Sequence, residues 1–336
     1  KVALIAAPYV AVPPKLYGGA ERRINTLCTY LKREGVNVTL FASGDSTPEV
    51  PLKPIYDFAL SENPRYDHKT QHAKYLAQVN LRTLSHLDED DYDLVNVHDY
   101  ENLGLIKTLA DRDTPVLVSI RHILKPSIQK VFETFKDHPN IHFHGVSYKQ
   151  IEELDPNMPF IHDTDDSSFY EAAKISEKRD YFFSIGCMKN IKGHRLAIDL
   201  TKRIGMDIII SGGSLSSSET KRYFEEEIKP KVDVEVGQRR KEFLEGIVTG
   251  THEFGKGRVI NFGPSDDQEK KILFKYAQFM QSLGNLETEG NIDACPGTII
   301  ESTLSGTPIL GVRGSISEEL TREGLTGINI SSLDEA

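Results

Sequence analysis

Short apolar segments alternate with amphipathic segments along this chain, and that alternation restricts the fold more than any other feature. Residues 2–7 are apolar on both faces of a strand, which is typical of a strand buried inside a parallel sheet. Four apolar residues from Ala20 to Leu31 then recur at helical spacing, and Gly35 is placed to end that helix. Parallel strands need a crossover connection, usually a helix, so the pattern predicts an α/β fold of doubly wound sheets.

The same alternation occurs in both halves of the chain, and 336 residues are enough for two domains. We predict an N-terminal Rossmann-like domain over residues 1–165 and a C-terminal one over residues 166–336, with the polar segment 148–178 crossing between them. The first half predicts strands at 36–42, 92–97, 115–120 and 141–146. The second predicts strands at 181–185, 206–211, 259–262 and 308–310, and helices at 193–204, 270–279 and 297–304.

Composition excludes several classes of protein. Lys and Arg number 40 against 50 Asp and Glu, a formal charge of −10, so we expect no nucleic-acid partner. No segment approaches the roughly 20 apolar residues of a membrane span. The cysteines Cys28, Cys187 and Cys295 lie far apart without metal-binding spacing, which favours reduced thiols and a cytoplasmic protein. The sequence contains no GxGxxG, which disfavours a dinucleotide oxidoreductase.

Ligands of doubly wound sheets bind beyond the carboxyl ends of the strands, and two glycine-containing loops there suit an anion. Gly18 and Gly19 open a helix, where backbone N–H groups can approach a negative charge, although a plain tight turn would also explain them. The second loop, from Gly186 to Gly193, places Lys189 and Lys192 at a helix start. That arrangement suits a diphosphate, but surface lysines are commonly solvated.

A third loop combines carboxylates with a helix start. Gly297 and Thr298 open a predicted helix whose N–H groups could hold phosphate, and Glu301 follows one turn later. Asp293 lies on the preceding loop. Two carboxylates at one junction indicate recognition of sugar hydroxyls, and a helix cap with a solvated Glu is the alternative.

Taken in order, these motifs resemble the family 4 retaining glycosyltransferases of the GT-B fold. The resemblance covers Val2 to about Ile330 and rests on Tyr-Gly-Gly-Ala-Glu-Arg, Val-Asn-Val-Thr-Leu-Phe-Ala-Ser-Gly-Asp-Ser, Gly-x5-Lys-Gly and Asp-x7-Glu followed by Gly-Thr-Pro. It implies two Rossmann-like domains facing across a cleft. The activity it implies is that of a hexosyltransferase, which moves a sugar from a nucleotide-diphosphate donor to an acceptor hydroxyl without a metal or other cofactor.

The family pattern also implies roles for individual residues. Lys192, aided by Lys189, would neutralise the donor diphosphate, and Gly18 and Gly19 would face it from the N-terminal domain. The remaining donor contacts would come from Asp293, Gly297, Thr298 and Glu301, with Asp293 and Glu301 counted among the catalytic residues. The acceptor would be a glycan, a lipid or a small molecule near Tyr17, His98 and Arg121, and a lipid would leave peripheral membrane contact open.

Departures from the family pattern leave other functions open. Cys187 replaces an Arg that usually follows the turn glycine, and Asp293 replaces a Glu. The usual His six residues after Pro115 is Arg121 here, so we assign the catalytic role to the next residue, His122. Asp163 and Asp165 fall on the family's linker, and we reject a metal role for them. Because the sequence ends at Ala336, we expect the family's C-terminal return helix to be absent. A sugar-nucleotide epimerase, a phosphorylase and a non-catalytic nucleotide-sugar-binding protein are the alternatives.

Overall fold

A computed structural model describes residues 1–15, 18–62, 68–212, 217–287 and 293–336 of the chain. The chain divides into two compact units, Lys1–Thr164 and Asp165–Ala336. Within these described ranges, no helix is both long and apolar enough to cross a membrane.

Unit 1 is built around one six-stranded sheet in which every neighbouring pair of strands is parallel. The strands are β1 (Val2–Ile5), β2 (Val38–Ser43), β3 (Leu52–Tyr56), β4 (Leu94–Val97), β5 (Val116–Ser119) and β6 (Ile141–His144), in the order β3-β2-β1-β4-β5-β6. Its helices are α1 (Gly19–Arg33), α2 (His68–Asp88), α3 (Leu103–Ala110), α4 (Pro126–Phe135) and α5 (Tyr148–Ile151).

Unit 2 is also an all-parallel sheet with helices between its strands. The strands are β7 (Arg179–Ile185), β8 (Asp207–Ser211), β9 (Val234–Glu235), β10 (Val259–Asn261), β11 (Ala277–Gln281), β12 (Ile309–Val312) and β13 (Gly327–Ile330), in the order β13-β12-β11-β7-β8-β10-β9. Its helices are α6 (His194–Ile204), α7 (Ser218–Tyr223), α8 (Arg240–Thr249), α9 (Asp267–Tyr276), α10 (Gly297–Leu304) and α11 (Ile316–Leu320).

Each sheet is buried on both faces, as the uniformly apolar strands predict. In β1, Ala3 and Ile5 belong to one apolar core and Leu4 to another. In β8, Ile209 packs into one core, while Ile208 and Ile210 pack into a second. Because successive residues of a strand point to opposite faces, only a strand covered by helices on both sides can be apolar throughout. The predicted fold class, two doubly wound α/β domains, is confirmed.

The strand order determines where a ligand crevice can form in each unit. In unit 1, successive strands extend in opposite directions from the pair β1 and β4, and in unit 2 from the pair β7 and β11. At such a switch point, the loops that follow the two strands diverge to opposite faces of the sheet and leave a crevice between them. The loops after β1, β4, β7 and β11 are therefore the places to look for function.

One predicted element of unit 2 is wrong. The sequence predicts a helix over residues 270–279, whereas α9 ends at Tyr276 and residues 277–281 form the central strand β11. The helix begins earlier than predicted, at a capping box in which Asp266 accepts from the N–H of Glu269. The apolar residues of β11 follow the helix without a polar break, so hydrophobic periodicity alone merges the two elements.

Candidate functional site

The loop after β7 carries the strongest cluster of candidate residues in unit 2. β7 ends at Ile185, a turn of 3₁₀ helix covers Asn190–Lys192, and α6 starts at His194. Gly193 joins the two helical segments at φ +73°, in the left-handed region. Lys192 thus lies directly before the first turn of α6, where the helix dipole and unpaired N–H groups favour an anion.

Gly193 also allows two loops to approach closely. A Cβ atom at this position would lie 2.7 Å from the Gly284 nitrogen and 2.8 Å from the Leu283 carbonyl carbon. Those two residues belong to the loop that follows β11. The glycine therefore brings the two loops of the switch point together, a role beyond the turn that the sequence indicates.

Buried hydrogen bonds join the ends of β7 and β11 beneath this loop. Gln281 Nε2 donates to Ser184 Oγ at 2.7 Å and to the Lys192 carbonyl at 3.2 Å. Gln281 Oε1 accepts from the Leu283 N–H at 2.9 Å. Gln281 is 3% exposed and Ser184 is fully buried. The last residue of the central strand thereby holds the backbone of the candidate diphosphate-binding lysine.

His194 completes this network with both ring nitrogens paired. Its Nε2 lies 3.2 Å from the Cys187 carbonyl, which can only accept, so Nε2 carries the proton. Nδ1 accepts from Ser184 Oγ at 2.6 Å. Burial lowers the pKa of the His194 imidazole to about 4, so the ring is neutral near pH 7. It fixes the carbonyl of Cys187, the residue that replaces the family's Arg.

The side chain of Lys192 forms an ion pair with Asp293, which lies 101 residues further along the chain. Both side chains are partly exposed, at 23% and 34%. Lys189 lies at the same loop and pairs with Glu219 at 3.2 Å. The two lysines favour the thiolate of Cys187, but burial dominates and raises the pKa of that thiol. The structure thus unites Lys192 and Asp293 and gives Lys189 a separate partner.

Glu301 lies on α10, deeper than a solvated helix residue. It is 4% exposed, and its Oε1 accepts from Lys270 Nζ at 2.8 Å. Gly297 and Thr298, at the start of α10, are half-buried. The alternative in which Glu301 is a solvated surface residue is excluded, and Lys270, which sequence reasoning missed, becomes part of the site.

The switch point of unit 1 places the glycine loop beside the end of β4. Gly18 is buried, and a Cβ atom there would lie 2.6 Å from the Pro14 Cβ. Gly19 begins α1 and is exposed. Burial raises the pKa of Glu21 in the first turn. Tyr17, predicted on the acceptor side, lies outside the described residues.

Two predicted acceptor-side residues, His98 and Arg121, and the predicted catalytic residue His122 follow β4 and β5, and the structure separates their environments. His98 is 5% exposed, and its Nδ1 accepts from Arg121 Nε at 3.0 Å. Arg121 also forms an ion pair with Asp163, both side chains being about nine-tenths buried. His122 is exposed, and its Nδ1 lies 3.2 Å from the Ile123 carbonyl. It is therefore Arg121, and not His122, that contacts His98.

Asp99 follows His98 and is another titratable group at this end of β4. Burial raises the pKa of its carboxyl to about 6, although Asn102 Nδ2 donates to Oδ2 at 2.8 Å and favours the charged form. Asn102 also caps α3 by accepting from the Leu105 N–H at 3.1 Å. A helix cap thus holds a carboxyl that changes charge close to neutral pH, a feature that the sequence did not indicate.

The two aspartates of the linker are both held by protein groups. Asp163 lies next to the last residue of unit 1 and forms an ion pair with Arg121. Asp165 opens unit 2 and accepts from the Tyr170 hydroxyl at 3.0 Å. The two carboxylates serve different units, and each has a partner of its own.

Comparison with known proteins shows which sequences and structures the chain is similar to. Residues 17–145 match the family model Glycosyltransferase Family 4. The O-antigen chain mannosyltransferase C of Escherichia coli is 20% identical over 330 residues, covering 90% of this chain and 77% of the relative.

Among solved structures, sucrose-phosphate synthase from Thermosynechococcus elongatus aligns with a TM-score of 0.71 at 12% identity, over 99% of this chain and 86% of that one. Anabaena HepE in complex with UDP and glucose aligns with a TM-score of 0.62 at 15% identity, over the same two fractions. These likenesses establish the GT-B fold. With the family match over residues 17–145 and the mannosyltransferase relative, they confirm the predicted enzyme class, a glycosyltransferase similar to those of family 4.

Proposed function

We propose that this enzyme transfers a hexosyl group from a nucleoside-diphosphate sugar to an acceptor hydroxyl, with retention of anomeric configuration and without a metal ion. The observation that carries the proposal is the Lys192–Asp293 pair at the switch point of unit 2. It joins a cation before α6 to a carboxylate near the start of α10, so groups suited to a diphosphate and to a sugar lie together.

Lys192 would bind the diphosphate. A diphosphate carries more negative charge than one carboxylate and would compete with Asp293 for the ammonium group. The positive end of the α6 dipole favours the same anion. Since Gln281 holds the Lys192 carbonyl and Gly193 fixes the turn, the cation is positioned before the donor arrives. Preorganised positive groups stabilise the charge that develops on the leaving diphosphate, which is the task a metal ion would otherwise perform.

Asp293 released from Lys192 would accept hydrogen bonds from hydroxyls of the transferred sugar. Gly297 and Thr298 would offer backbone N–H groups at the start of α10. One oxygen of Glu301 is engaged by Lys270, and we propose that its carboxylate accepts from the ribose hydroxyls in addition. The carboxylate would then be positioned by a buried cation rather than by solvent.

Unit 1 would bind the acceptor, a glycan, a lipid or a small molecule, at the ends of β1 and β4. The net charge of −10 argues against a nucleic-acid acceptor. The mannosyl group named for the Escherichia coli relative and the UDP and glucose of the HepE complex support a hexose and a nucleoside diphosphate. A cytoplasmic location stays a prediction.

Thermal unfolding with UDP, GDP or ADP, each with and without EDTA, tests the donor site. A ligand at about one hundred times its Kd stabilises the fold by roughly 2.7 kcal/mol, which shifts Tm measurably. We expect one nucleotide to raise Tm equally with and without EDTA, and Lys192→Ala to abolish the shift. Lys202→Ala, which removes a lysine from the last turn of α6, is the matched control and should keep it. A shift that requires a divalent cation, or that survives Lys192→Ala, would contradict the proposal.

Proton NMR of the transfer product tests the stereochemistry. With an α-linked donor sugar we expect an α-linked product, and this assignment holds throughout the reaction because a glycoside does not mutarotate. A β-linked first product would show inversion and remove the retaining part of the proposal.

A further inference from the structure

His98 has a buried ring nitrogen with no hydrogen-bond partner among the described residues. The residue is 5% exposed, and the unpaired atom is Nε2. The other ring nitrogen, Nδ1, lies 3.0 Å from Arg121 Nε. Since an arginine at this position can only donate, Nδ1 is the acceptor and the neutral ring carries its proton on Nε2. An N–H group therefore lies buried and unpaired at the end of β4.

The half-buried His144 and the fully buried His194 have partners for both ring nitrogens. In His144, Nδ1 lies 2.9 Å from the Gly145 carbonyl and Nε2 lies 2.6 Å from Ser119 Oγ. In His194, both nitrogens are paired at the end of β7. A buried donor left without a partner is unfavourable, because it has lost its hydrogen bond to water and gained none in the protein. His98 thus differs from His144 and His194, although Nε2 of the half-buried His252 in unit 2 also has no partner among the described residues. A ligand oxygen would complete the hydrogen bonding of His98.

The charges around His98 keep the ring neutral. Burial, Arg121 and His144 all lower the pKa of the imidazole well below its ordinary value. The charge of Arg121 is balanced by Asp163, since the two side chains form a buried ion pair. Asp99 adds a carboxyl at the adjacent position. The surroundings therefore offer one neutral donor without net positive charge, which suits an uncharged hydroxyl better than a phosphate.

We infer that His98 binds a hydroxyl oxygen of the sugar acceptor through Nε2–H, and that Arg121 and Asp163 are positioning residues that hold the imidazole in the tautomer this requires. The inference rests on the proposed function, because it assigns the acceptor to unit 1. Arg121 acts only through His98: its Nε donates to Nδ1, and Asp163 fixes the guanidinium. Asp163 thereby ties the last residues of unit 1 to the acceptor subsite.

The tautomer can be read directly by long-range ¹H–¹⁵N NMR of protein labelled at histidine nitrogens. We expect His98 to show a protonated Nε2 and an unprotonated Nδ1, unchanged between pH 5.5 and 8. Arg121→Gln keeps an N–H donor and should preserve this signature. The double variant Arg121→Leu/Asp163→Leu removes both buried charges together and with them the donor to Nδ1. Burial should still keep the ring neutral, and we expect a mixture of the two tautomers in that pH range. Arg82→Leu/Asp57→Leu removes an exposed pair of unit 1 and is the matched control.

Glucose, mannose and galactose serve as hydroxyl probes and inorganic phosphate as the anionic one. We expect at least one sugar at saturating concentration to change the chemical shift of the His98 Nε2 proton in the wild type, and phosphate to leave that chemical shift unchanged. An Nδ1–H tautomer in the wild type, a wild-type signature in the double leucine variant, or an Nε2 proton that responds to no sugar would each overturn the inference. The donor assay depends on Lys192 in unit 2, so loss of nucleotide binding with an intact His98 response marks failure of the donor proposal alone.

Discussion

The Glu301→Gln variant separates structure from function at the donor site, because Glu301 is one half of a buried ion pair. Its carboxylate lies 2.8 Å from Lys270 Nζ, and the two side chains are 5% and 10% exposed. Removing one partner of such a pair costs about 3–5 kcal/mol, since the other charge stays buried. Asp267, at 3.4 Å and 42% exposed, compensates part of the charge on Lys270. We therefore expect a loss near the lower limit, about 3 kcal/mol.

In a unit the size of unit 2, each kcal/mol shifts Tm by about 2–4 °C, so Glu301→Gln should lower Tm by about 6–12 °C. Differential scanning calorimetry of Glu301→Gln, Lys270→Met and the double variant measures the effect and its coupling. The double variant leaves no buried unpaired charge, and we expect it to regain most of the lost Tm. Its affinity for the donor nucleotide sugar, measured by calorimetry well below Tm, should stay reduced.

Two results would refute this reasoning. A Glu301→Gln variant with the same Tm as the wild type would show that the ion pair does not stabilise unit 2. A double variant that regains both its Tm and its donor affinity would show that Glu301 acts only as the counterion of Lys270, with no contact to ribose.

Three further predictions concern the loops of unit 2. Gly193→Ala should lower the free energy of unfolding by clearly more than the ~1 kcal/mol that an alanine in the left-handed region costs. The added Cβ would collide with the backbone of the loop that follows β11. Gly205→Ala, also at φ +73° but with open space around it, is the matched control, and equal Tm losses would contradict the close approach. Asp293→Asn should leave or raise UDP or GDP affinity while lowering that of the corresponding nucleotide sugar; a parallel loss of both in titration calorimetry would count against a sugar contact. His194 binds a proton in the unfolded chain below about pH 6.5 but in the folded one only below about 4, so stability should fall by about 1.4 kcal/mol per pH unit as pH decreases between them. Hydrogen exchange of α6 should show this slope in the wild type and lack it in His194→Gln; parallel pH profiles would exclude the buried neutral ring.

Much of the architecture could be predicted from the sequence, because it depends on local patterns. A strand that is apolar on both faces needs cover on both sides, and this predicted parallel sheets in two domains. Glycines before helices located the loops at Gly18 and Gly193. The residues of the Lys192–Asp293 pair were also singled out, since they lie on loops beyond the carboxyl ends of strands, where ligands of doubly wound sheets bind.

Tertiary packing supplied the relations between distant residues. The sequence pattern did not separate β11 from α9. In the structure β11 lies beside β7, which places Gln281 beneath the loop of Lys192. Asp293, further along the chain, then lies close enough to form an ion pair with Lys192. Residue type likewise favoured His122 over Arg121, which occupies the family's spacing, whereas the packed unit buries the Arg121 side chain against His98 and exposes His122. Hydrophobic periodicity reports which face of an element is covered; the order of strands and the pairing of buried charges depend on contacts between segments up to a hundred residues apart, and no local pattern encodes them.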